Sequence, residues 1–501
     1  MEPTEEHLDP TAEINLETVK SRTVKGIVAL TQQYFGVYII TIIAYFFLGK
    51  FLNPVLFGIF GVVSAIINFL VYFSDIGLAA SLIQKKEKIT QEDLKTTFTV
   101  QQILVITLIL IVVAGTSFIR HFYNLDQSSV YLLYALCFSF FMSSLKSIPS
   151  VILERHLRFE VVAISAIIET LVYNLVLVFL AWKGFGITSF TISVIARGII
   201  GVTVLYLFQP WKPTLQISRS SLKKLLVFGI PYQINTFIAV LKDDGLTIIL
   251  GKVIGLGPLG ILSWAQGWIQ MPLRVVLDNV TRVTFPAFSR MQDNMKELKE
   301  NVTRSIFFIA FLVFPAVVGI VILAPIVFQS ISKFSQWLPA VIPLAFLAVN
   351  VIFAAVTTQL TNLLNAIGKI KITSGLMVMW TVLTWLLVPY LGLKYGVNGA
   401  SAGYAIVGAS SIIAIFIVKK YVDFSLTEST FKPLAASFIM GAVLLVLRNF
   451  LPVNLYSVFV LTVIGMVAYF ASIFVFVGMS IIDDIRKVSG IILHKNENIN
   501  K

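Results

Sequence analysis

The chain has 501 residues, of which 57% are hydrophobic and 13% charged, and its formal net charge is +13. Soluble proteins carry about 25% charged residues, so this composition excludes a water-soluble globular protein and indicates a chain whose solvent is largely lipid. The single cysteine, Cys137, excludes a disulfide within one chain and a metal cluster built from several cysteines.

Fourteen stretches are long and apolar enough to cross a membrane, since a spanning helix needs about 20 mostly apolar residues. In chain order these predicted spans 1 to 14 are 26–49, 55–74, 97–119, 130–150, 161–182, 187–208, 228–250, 259–278, 305–328, 338–362, 372–392, 396–418, 431–449 and 455–480. They predict an all-α polytopic membrane protein with 14 transmembrane helices. The first nineteen residues carry six acids and no apolar core, so they predict no cleavable signal peptide.

Basic residues alternate between the two ends of the predicted spans. With the N-terminus inside, the inside segments hold between two and six Lys and Arg, whereas each short outside loop holds only one. The outside residues are Lys50, Arg120, Lys183, Lys252, Lys333, Lys394 and Arg448. Because short cytoplasmic loops concentrate Lys and Arg, both termini are predicted to be cytoplasmic. The same placement near anionic headgroups accounts for the net charge without a nucleic-acid partner.

One short stretch of sequence, at a predicted turn between two spans, occurs twice in the chain. Residues 48–60 read LGKFLNPVLFGIF and residues 250–262 read LGKVIGLGPLGIL, which align without a gap at an offset of 202. A second pair, WKGFGI (182–187) and LKYGV (393–397), aligns at an offset of 210. The pairs predict two pseudo-symmetric six-helix lobes that face the same way, because six is even. Parallel repeats of this kind occur in transporters, with the substrate site between them near mid-membrane.

The predicted organisation follows from these repeats and from the apolar pattern. It comprises a cytosolic N-terminal tail (1–25), an N-lobe (26–208), a cytosolic linker (209–227), a C-lobe (228–418), an appended helix pair (419–480) and a cytosolic C-terminal tail (481–501).

Several stretches spread over nearly the whole chain carry a family resemblance. They are SDIGLAASLIQK (74–85), LERHLRFE (153–160), DDGLTIILGKVIGLGPLGI (243–261), FPAFSRMQ (285–292) and TNLLNAIGKIK (361–371). Together with the two bundles and the added pair, they resemble the polysaccharide-transporter branch of the multidrug/oligosaccharidyl-lipid/polysaccharide (MOP) superfamily. The resemblance implies a flippase that moves polyprenyl-diphosphate-linked oligosaccharide from the inner to the outer leaflet for polymerisation or transfer.

Span 7 contains three consecutive charged residues, Lys242, Asp243 and Asp244. A charge inside a span costs about 2.5–3.5 kcal/mol on insertion scales, so such residues are usually paired, face a cavity or serve the function. We interpret Lys242 as a cavity residue and the two aspartates as ion-coupling candidates, with a structural ion cluster as the alternative. Asp244 also matches an acidic position in the resembled family.

Span 8 places Arg274, Asp278 and Arg282 on one helix face, because the spacing is i, i+4, i+8. One interpretation is a cationic entrance in which the guanidinium groups bind a diphosphate, with Asp278 in gating. The other is a salt-bridge ladder or topology charge. Asp75, near the inner end of span 2, is the repeat counterpart of Asp278 and is a gating candidate as well.

Further polar residues fall in or beside the spans. Arg197 in span 6 is predicted either to face the cavity or to pair with Glu169 of span 5. Arg155 and Arg158, in the loop before span 5, are candidates for gating or for gathering the cargo headgroup, although topology alone explains them. Polar residues of spans 1 and 7 are candidates for binding sugars, with interhelical hydrogen bonds as the alternative. They are Gln32, Gln33, Gln233 and Asn235.

Aromatic and histidine residues permit only general expectations. Trp264, Trp268, Trp380 and Trp385 could stack on sugar rings, but tryptophans in such chains more often serve packing. The four histidines lie outside the apolar runs, show no metal-ligand spacing, and are expected to be solvated.

The expected mechanism is alternating access by two lobes rocking about a central cavity. A diphosphate carries about two negative charges, and an inside-negative membrane favours the outward movement of each by roughly 2.3 kcal/mol per 100 mV. No cofactor is expected, and the energy source is expected to be a H⁺ or Na⁺ gradient or the membrane potential. By resemblance to the lipid II flippase, spans 13 and 14 are expected to shelter the polyprenyl tail.

Three other functions remain as alternatives. A lipid II flippase and a multidrug/cation antiporter belong to the same superfamily, although such antiporters typically have twelve helices. A membrane polysaccharide polymerase or ligase generally needs a sizeable outer loop, so the chain is expected not to be an enzyme. The expected partners are the lipid-linked cargo, membrane lipids and polysaccharide assembly proteins. The expected location is a prokaryotic plasma membrane.

Overall fold

The structure is a computed structural model that describes residues 16–85 and 87–478. Every regular element within these residues is a helix. In chain order they are α1 (Leu16–Phe51), α2 (Pro54–Val71), α3 (Leu78–Gln84), α4 (Gln91–Tyr123), α5 (Gln127–Leu145), α6 (Ser147–Arg155), α7 (Phe159–Trp182), α8 (Ile187–Phe208), α9 (Arg219–Val240), α10 (Leu246–Val253), α11 (Leu256–Arg290), α12 (Met295–Ser330), α13 (Val341–Ala366), α14 (Ile370–Ala409), α15 (Ile412–Lys419), α16 (Lys432–Leu447) and α17 (Leu455–Val477). The predicted C-terminal tail, 481–501, lies outside the described residues, as does the N-terminal tail before residue 16.

Eleven helical stretches within the described residues are long and apolar enough to cross a membrane. The prediction of an all-α polytopic membrane protein is therefore confirmed. One of the eleven, Ile370–Lys419, contains both span 11 and span 12, and Gly396 (φ 60°, ψ −141°) interrupts its helical geometry. Spans 7 and 8 correspond to α9–α10 and α11, which are helical but more polar. The count of fourteen and the layout in two lobes stay predictions.

Two of the long helices begin well before their apolar stretch. α4 begins at Gln91 rather than near 97, because the Thr90 hydroxyl accepts a hydrogen bond from the Asp93 amide at 3.2 Å and the Asp93 carboxylate accepts one from the Thr90 amide at 3.0 Å. α12 begins at Met295 rather than near 305, with Asn294 as its cap. Such caps satisfy amides that have no partner within the helix. Hydropathy alone misses these polar first turns.

By packing, the chain divides into two units at Ser263 and Trp264. In the first unit the helices pack in a continuous series, with α1 against α7, α7 against α8, α8 against α5 and α5 against α2. The interior is apolar and closely packed, and its fully buried side chains include Val62, Val63, Leu132 and Leu133. This division differs from the predicted lobe limits, which stay predictions.

In the second unit α12 is the central helix, since it packs against α13, α16 and α17. Its apolar face meets Met440 and Leu444 of α16 and Leu461 of α17. The Tyr469 hydroxyl of α17 donates a hydrogen bond to the Phe311 carbonyl of α12 at 2.8 Å. The predicted appended helices are therefore fixed to this unit by one apolar seam.

The internal repeat also appears as repeated contacts. In the first unit the Ser218 amide donates to the Thr96 hydroxyl at 2.9 Å, and in the second the Ser425 amide donates to the Thr303 hydroxyl at 3.3 Å. The two contacts are related by one offset of 207 positions in the sequence, which takes residue 96 to 303 and residue 218 to 425. In each case the segment after an even-numbered predicted span is fastened to the start of a long helix. A duplicated sequence therefore produces a duplicated contact.

Candidate functional site

The charged residues of span 7 lie in a π-helical turn, Leu241–Gly245, between α9 and α10. π-turns are rare and occur frequently at functional sites. The ammonium of Lys242 lies 3.7 Å from the Asp243 carboxylate, and the Asp243 side chain is 75% exposed. Asp244 instead is partly buried, in a turn that packs against α2. The turn thus separates the two acids into an exposed one and a partly buried one.

Arg197 belongs to an ionic cluster in the first unit, in which Glu169 is buried. Lys146, just after α5, lies 2.7 Å from one Glu169 oxygen, and the Arg197 Nε lies 3.9 Å from the other. The Arg197 guanidinium also lies 5.7 Å from the centre of the Tyr173 ring. The predicted pairing of Arg197 with Glu169 is therefore observed. Two cations surround one carboxylate among otherwise apolar helices.

The Arg197 side chain is exposed to solvent although it lies on the packed face of α8. Its side chain is 52% exposed, yet Ser193 and Gly201, one turn away on the same face, are buried. The exposed apolar residues Ile192 and Ile199 lie on roughly the opposite face. Arg197 is therefore an exposed charge on a face of α8 that is otherwise buried. The cavity-facing alternative stays a prediction.

The three charged residues of α11 are all exposed. Arg274, Asp278 and Arg282 lie on one helix face, and the Arg274 guanidinium donates to the Gln270 side chain at 3.1 Å. The arrangement is a charged stripe along α11, as the spacing predicts. Its role as an entrance for cargo stays a prediction.

The polar candidates of spans 1 and 7 differ in their surroundings. Gln32 is exposed, whereas the Gln33 side-chain oxygen is buried without a hydrogen-bond partner among the described residues. The Gln233 amide donates to the Tyr72 carbonyl, and the Tyr72 hydroxyl donates to the Gln233 carbonyl. Gln233 thus fastens α9 to the end of α2. The side chain of Asn235 lies outside the described residues.

The remaining gating candidates have local partners at the ends of helices. Both carboxyl oxygens of Asp75 accept from the Ala79 amide, at 3.1 and 3.2 Å, in the first turn of α3. The Arg155 guanidinium donates to the carbonyls of Leu82, Lys85 and Glu87, at 2.9, 2.7 and 3.0 Å. Arg155 therefore stabilises the end of α3 and the loop that follows it.

Arg158, the other candidate in the loop before α7, has a carboxylate partner. Its Nε lies 3.2 Å from a Glu160 oxygen, and both side chains are partly exposed. An exposed pair of this kind contributes little to stability.

One general expectation, that the four histidines are solvated, needs correction. His156 is buried rather than solvated, because its ring packs under α6 with Nδ1 2.7 Å from the Ile152 carbonyl. Trp264 is 1% exposed and stacks on Trp337 at 4.2 Å between ring centres. Trp264 is therefore a packing residue of the second unit and offers no free face for a sugar.

Sequence reasoning missed two residues around these sites. Lys146 is a charged residue inside predicted span 4, and that position alone marks it as unusual. Tyr72 is an ordinary polar residue at the end of an apolar helix, and no local signal distinguishes it. Its importance comes only from the helix that packs against it.

Comparison with known proteins agrees with this architecture. Residues 47–342, more than half of the chain, match a family described as "Polysaccharide biosynthesis protein". The chain belongs to this family. Among the relatives of this chain, the succinoglycan biosynthesis transport protein ExoT of Rhizobium meliloti is 22% identical to it, over 81% of this chain and 80% of ExoT. The lipopolysaccharide biosynthesis protein WzxC of Escherichia coli is 26% identical over 42% of this chain and 43% of WzxC.

A further relative is "Uncharacterized membrane protein in cps region" of Klebsiella pneumoniae, which is 22% identical over 81% of this chain and 83% of its own length. Among solved structures, the lipid II flippase MurJ in an inward closed conformation superposes with a TM-score of 0.73 at 16% identity. The alignment covers 90% of this chain and 98% of MurJ.

A multidrug resistance MATE family transporter of the MOP superfamily gives a TM-score of 0.58 at 16% identity, over 79% of this chain and 98% of that protein. At such identities these structures establish a shared fold alone. The polysaccharide family predicted from the sequence is confirmed.

Proposed function

We propose that the protein is a flippase that moves polyprenyl-diphosphate-linked oligosaccharide, the repeat unit of a polysaccharide, from the inner to the outer leaflet by alternating access. Membership of the polysaccharide biosynthesis family supports this proposal, as do relatives named for succinoglycan transport and lipopolysaccharide biosynthesis. The observation that carries it is the half-exposed Arg197 on the packed face of α8. A transporter of charged cargo needs such a solvated charge inside its apolar helices.

The proposed location is a prokaryotic plasma membrane, with both termini in the cytoplasm. The proposed partners are the lipid-linked cargo, membrane lipids and proteins of polysaccharide assembly. The chain acts as a transporter rather than an enzyme, without a cofactor, and α16 and α17 shelter the polyprenyl tail.

The proposed energy source is the membrane potential together with a H⁺ or Na⁺ gradient. The diphosphate moves outward with about two negative charges, which an inside-negative potential favours by roughly 2.3 kcal/mol per charge per 100 mV. A cation returning through Asp243 and Asp244 resets the transporter. The different environments of these acids support this role, because the Asp243 side chain is exposed to solvent while Asp244 is partly buried.

The test is a flipping assay in proteoliposomes that contain a fluorescent polyprenyl-diphosphate oligosaccharide. Flipping is measured with and without an imposed inside-negative potential. We expect the potential to accelerate flipping in the wild type, and we expect Asp244→Asn to lose this acceleration. Asp423→Asn is the matched control, because Asp423 is an exposed acid of the second unit that pairs only with lysines.

The possible outcomes separate the function from the ion site. Flipping that persists unchanged in Asp244→Asn refutes the ion-coupling role and leaves the function intact. Absence of flipping by folded wild-type protein refutes the function. Lipid II and cationic dyes are then tested in the same liposomes, because the structural similarities to MurJ and to a MATE transporter make these the next cargo classes.

A further inference from the structure

The ionic cluster of the first unit has an unequal number of charges. Glu169 is the one carboxylate within ion-pair distance of both Lys146 and Arg197, so the cluster carries one net positive charge among the described side chains. Glu169 and Lys146 are also largely buried, with side chains 12% and 18% exposed. Since Lys146 pairs closely with Glu169, the excess charge lies on the half-exposed Arg197. Arg197 is thus the group of the cluster that a further anionic group can reach.

The cluster is divided into a closed part and an open part. Lys146 donates to Glu169 at 2.7 Å, which is a full charge-assisted hydrogen bond. Arg197 approaches Glu169 only through Nε, at 3.9 Å, and its two terminal amino groups have no hydrogen-bond partner among the described residues. These terminal groups form the planar fork that binds phosphate and carboxylate oxygens in pairs. The open part of the cluster is therefore the terminal fork of the Arg197 guanidinium.

Local packing holds this geometry in place. A Cβ at Gly201 would lie 2.7 Å from the Glu169 carboxyl carbon and 2.9 Å from the Lys146 ammonium. Glycine therefore lets α8 approach the cluster at this point without displacing the ends of these two side chains. Ser165 also donates to Glu169, at 3.4 Å. Lys146 and Ser165 together hold the Glu169 carboxylate beside Arg197.

We propose that Arg197 binds an anionic group of the transported lipid-linked oligosaccharide inside the first unit, with Glu169 and Lys146 as positioning residues. This inference rests on the proposed function. Phosphate and carboxylate present the same pair of oxygens to a guanidinium, so the bound group is either the carrier's diphosphate or the carboxylate of an acidic sugar. Binding replaces the long Arg197–Glu169 contact and neutralises the charge of the cluster.

The test is direct binding to full-length protein in detergent, with three probes. Farnesyl diphosphate supplies the phosphate, a lipid-free oligosaccharide of glucuronic acid supplies the carboxylate, and a neutral oligosaccharide is the reference. We expect Arg197→Gln to weaken binding of one anionic probe at least about tenfold. Binding of the neutral probe stays unchanged, and the weakened probe identifies the source of the anion.

Two further variants keep the result interpretable. Arg197→Lys retains the charge but not the fork, so we expect it to fold and to lose about threefold to tenfold in affinity for the same probe. Arg304→Gln is the matched control, since Arg304 is exposed on α12 in the second unit, and its affinities should equal those of the wild type. Thermal unfolding of each variant checks that the fold is intact.

The outcomes distinguish this site from the function on which it rests. Equal affinities of wild type and both Arg197 variants for both anionic probes refute the site, whatever the flipping assay shows. Weakened binding of one anionic probe in a protein that flips no polyprenyl-linked cargo supports the site and refutes the function. If Arg197→Gln does not fold, the result for Arg197→Lys decides the matter alone.

Discussion

Gly58 and Gly260 pack against each other through their backbones. A Cβ at Gly58 would lie 3.1 Å from the Gly260 amide nitrogen, and a Cβ at Gly260 would lie 2.8 Å from the Gly58 nitrogen. These two glycines occupy the same position in the two copies of the repeated turn, LGKFLNPVLFGIF and LGKVIGLGPLGIL. The start of α2 and the start of α11 therefore meet through equivalent residues. This reciprocal contact explains why both copies keep glycine there.

Replacing Gly58 by alanine should destabilise the first unit. The new Cβ would lie 1.7 Å from the Leu256 carbonyl oxygen, so the two helix starts must separate, at a cost of at least about 2 kcal/mol. Thermal unfolding in detergent measures the loss. Gly257→Ala is the matched control, because its Cβ would meet only the Val55 side chain, at an ordinary 3.5 Å. Equal stability of the two variants would mean that the helix starts do not need this close approach.

The attachment of the linker after α8 to helix α4 should depend on the Thr96 hydroxyl. Thr96→Val removes the hydroxyl that accepts the hydrogen bond from the Ser218 amide. We expect this to lower the free energy of unfolding by about 1 kcal/mol and to speed hydrogen exchange at the Ser218 amide. Thr303→Val should do the same at Ser425, because the second contact repeats the first. Thr107→Val is the control, since that exposed hydroxyl bonds only within its own helix. Unchanged exchange at Ser218 in Thr96→Val would contradict the assignment.

Stability should depend on pH through Asp75, which lies just past the apolar stretch Pro54–Ser74. Burial raises the pKa of Asp75 to about 6, although the hydrogen bond from the Ala79 amide opposes the shift. The unfolded chain has a pKa near 3.9 at this residue. The stabilisation from the neutral carboxyl is therefore complete below about pH 4 and is lost as the pH rises through about 6.

Unfolding temperatures between pH 4.5 and 7.5 test this dependence. We expect Asp75→Asn to remove on the order of 1–3 kcal/mol of the pH-dependent change in the free energy of unfolding. The variant should be more stable than the wild type at pH 7.5, since its side-chain amide stays neutral and still accepts a hydrogen bond. Asp423→Asn serves as the exposed control. A wild-type profile that keeps its slope in Asp75→Asn would assign the dependence to another group.

Arg155 should act as a structural residue of the loop after α3. Arg155→Gln removes the donors to three carbonyls and should cost about 1.5–3 kcal/mol, as expected for hydrogen bonds from a charged group. Proteolysis of the segment 83–90 should accelerate in parallel. Lys88→Gln, at an exposed residue of the same loop, should change neither quantity. If Arg155→Gln leaves stability intact but weakens cargo binding, its interpretation as a headgroup ligand is restored.

The sequence predicts the membrane helices well because their determinants are local. Apolar length defines each span, and Gly396 interrupts α14 between spans 11 and 12 as the LKYGV turn predicts. The direction that the distribution of Lys and Arg gives to each span stays a prediction. The pairing of Arg197 with Glu169 was also predictable, because two unlike charges in adjacent spans have few other partners. These features follow from composition and spacing.

Other features depend on packing between distant segments and leave no local signal. The sequence shows that Gly58 and Gly260 are repeated, but it does not show that they touch. Arg155 has the chemistry of a headgroup ligand, yet its guanidinium donates to carbonyls of α3 and of the loop that follows α3. Lys146 completes the cluster around Glu169 only because α5, α7 and α8 converge. Such roles depend on which distant segment packs against the residue, and the spacing of residues in the sequence does not show this.

The duplicated anchor at Thr96 and Thr303 makes each attachment local to its own copy of the repeat. The second anchor, at Ser425, precedes α16 and α17. The hairpin of α16 and α17 therefore continues from a segment that has its own attachment to α12. Because this hydrogen bond involves no residue of the hairpin, a substitution within α16 or α17 leaves its donor and acceptor in place.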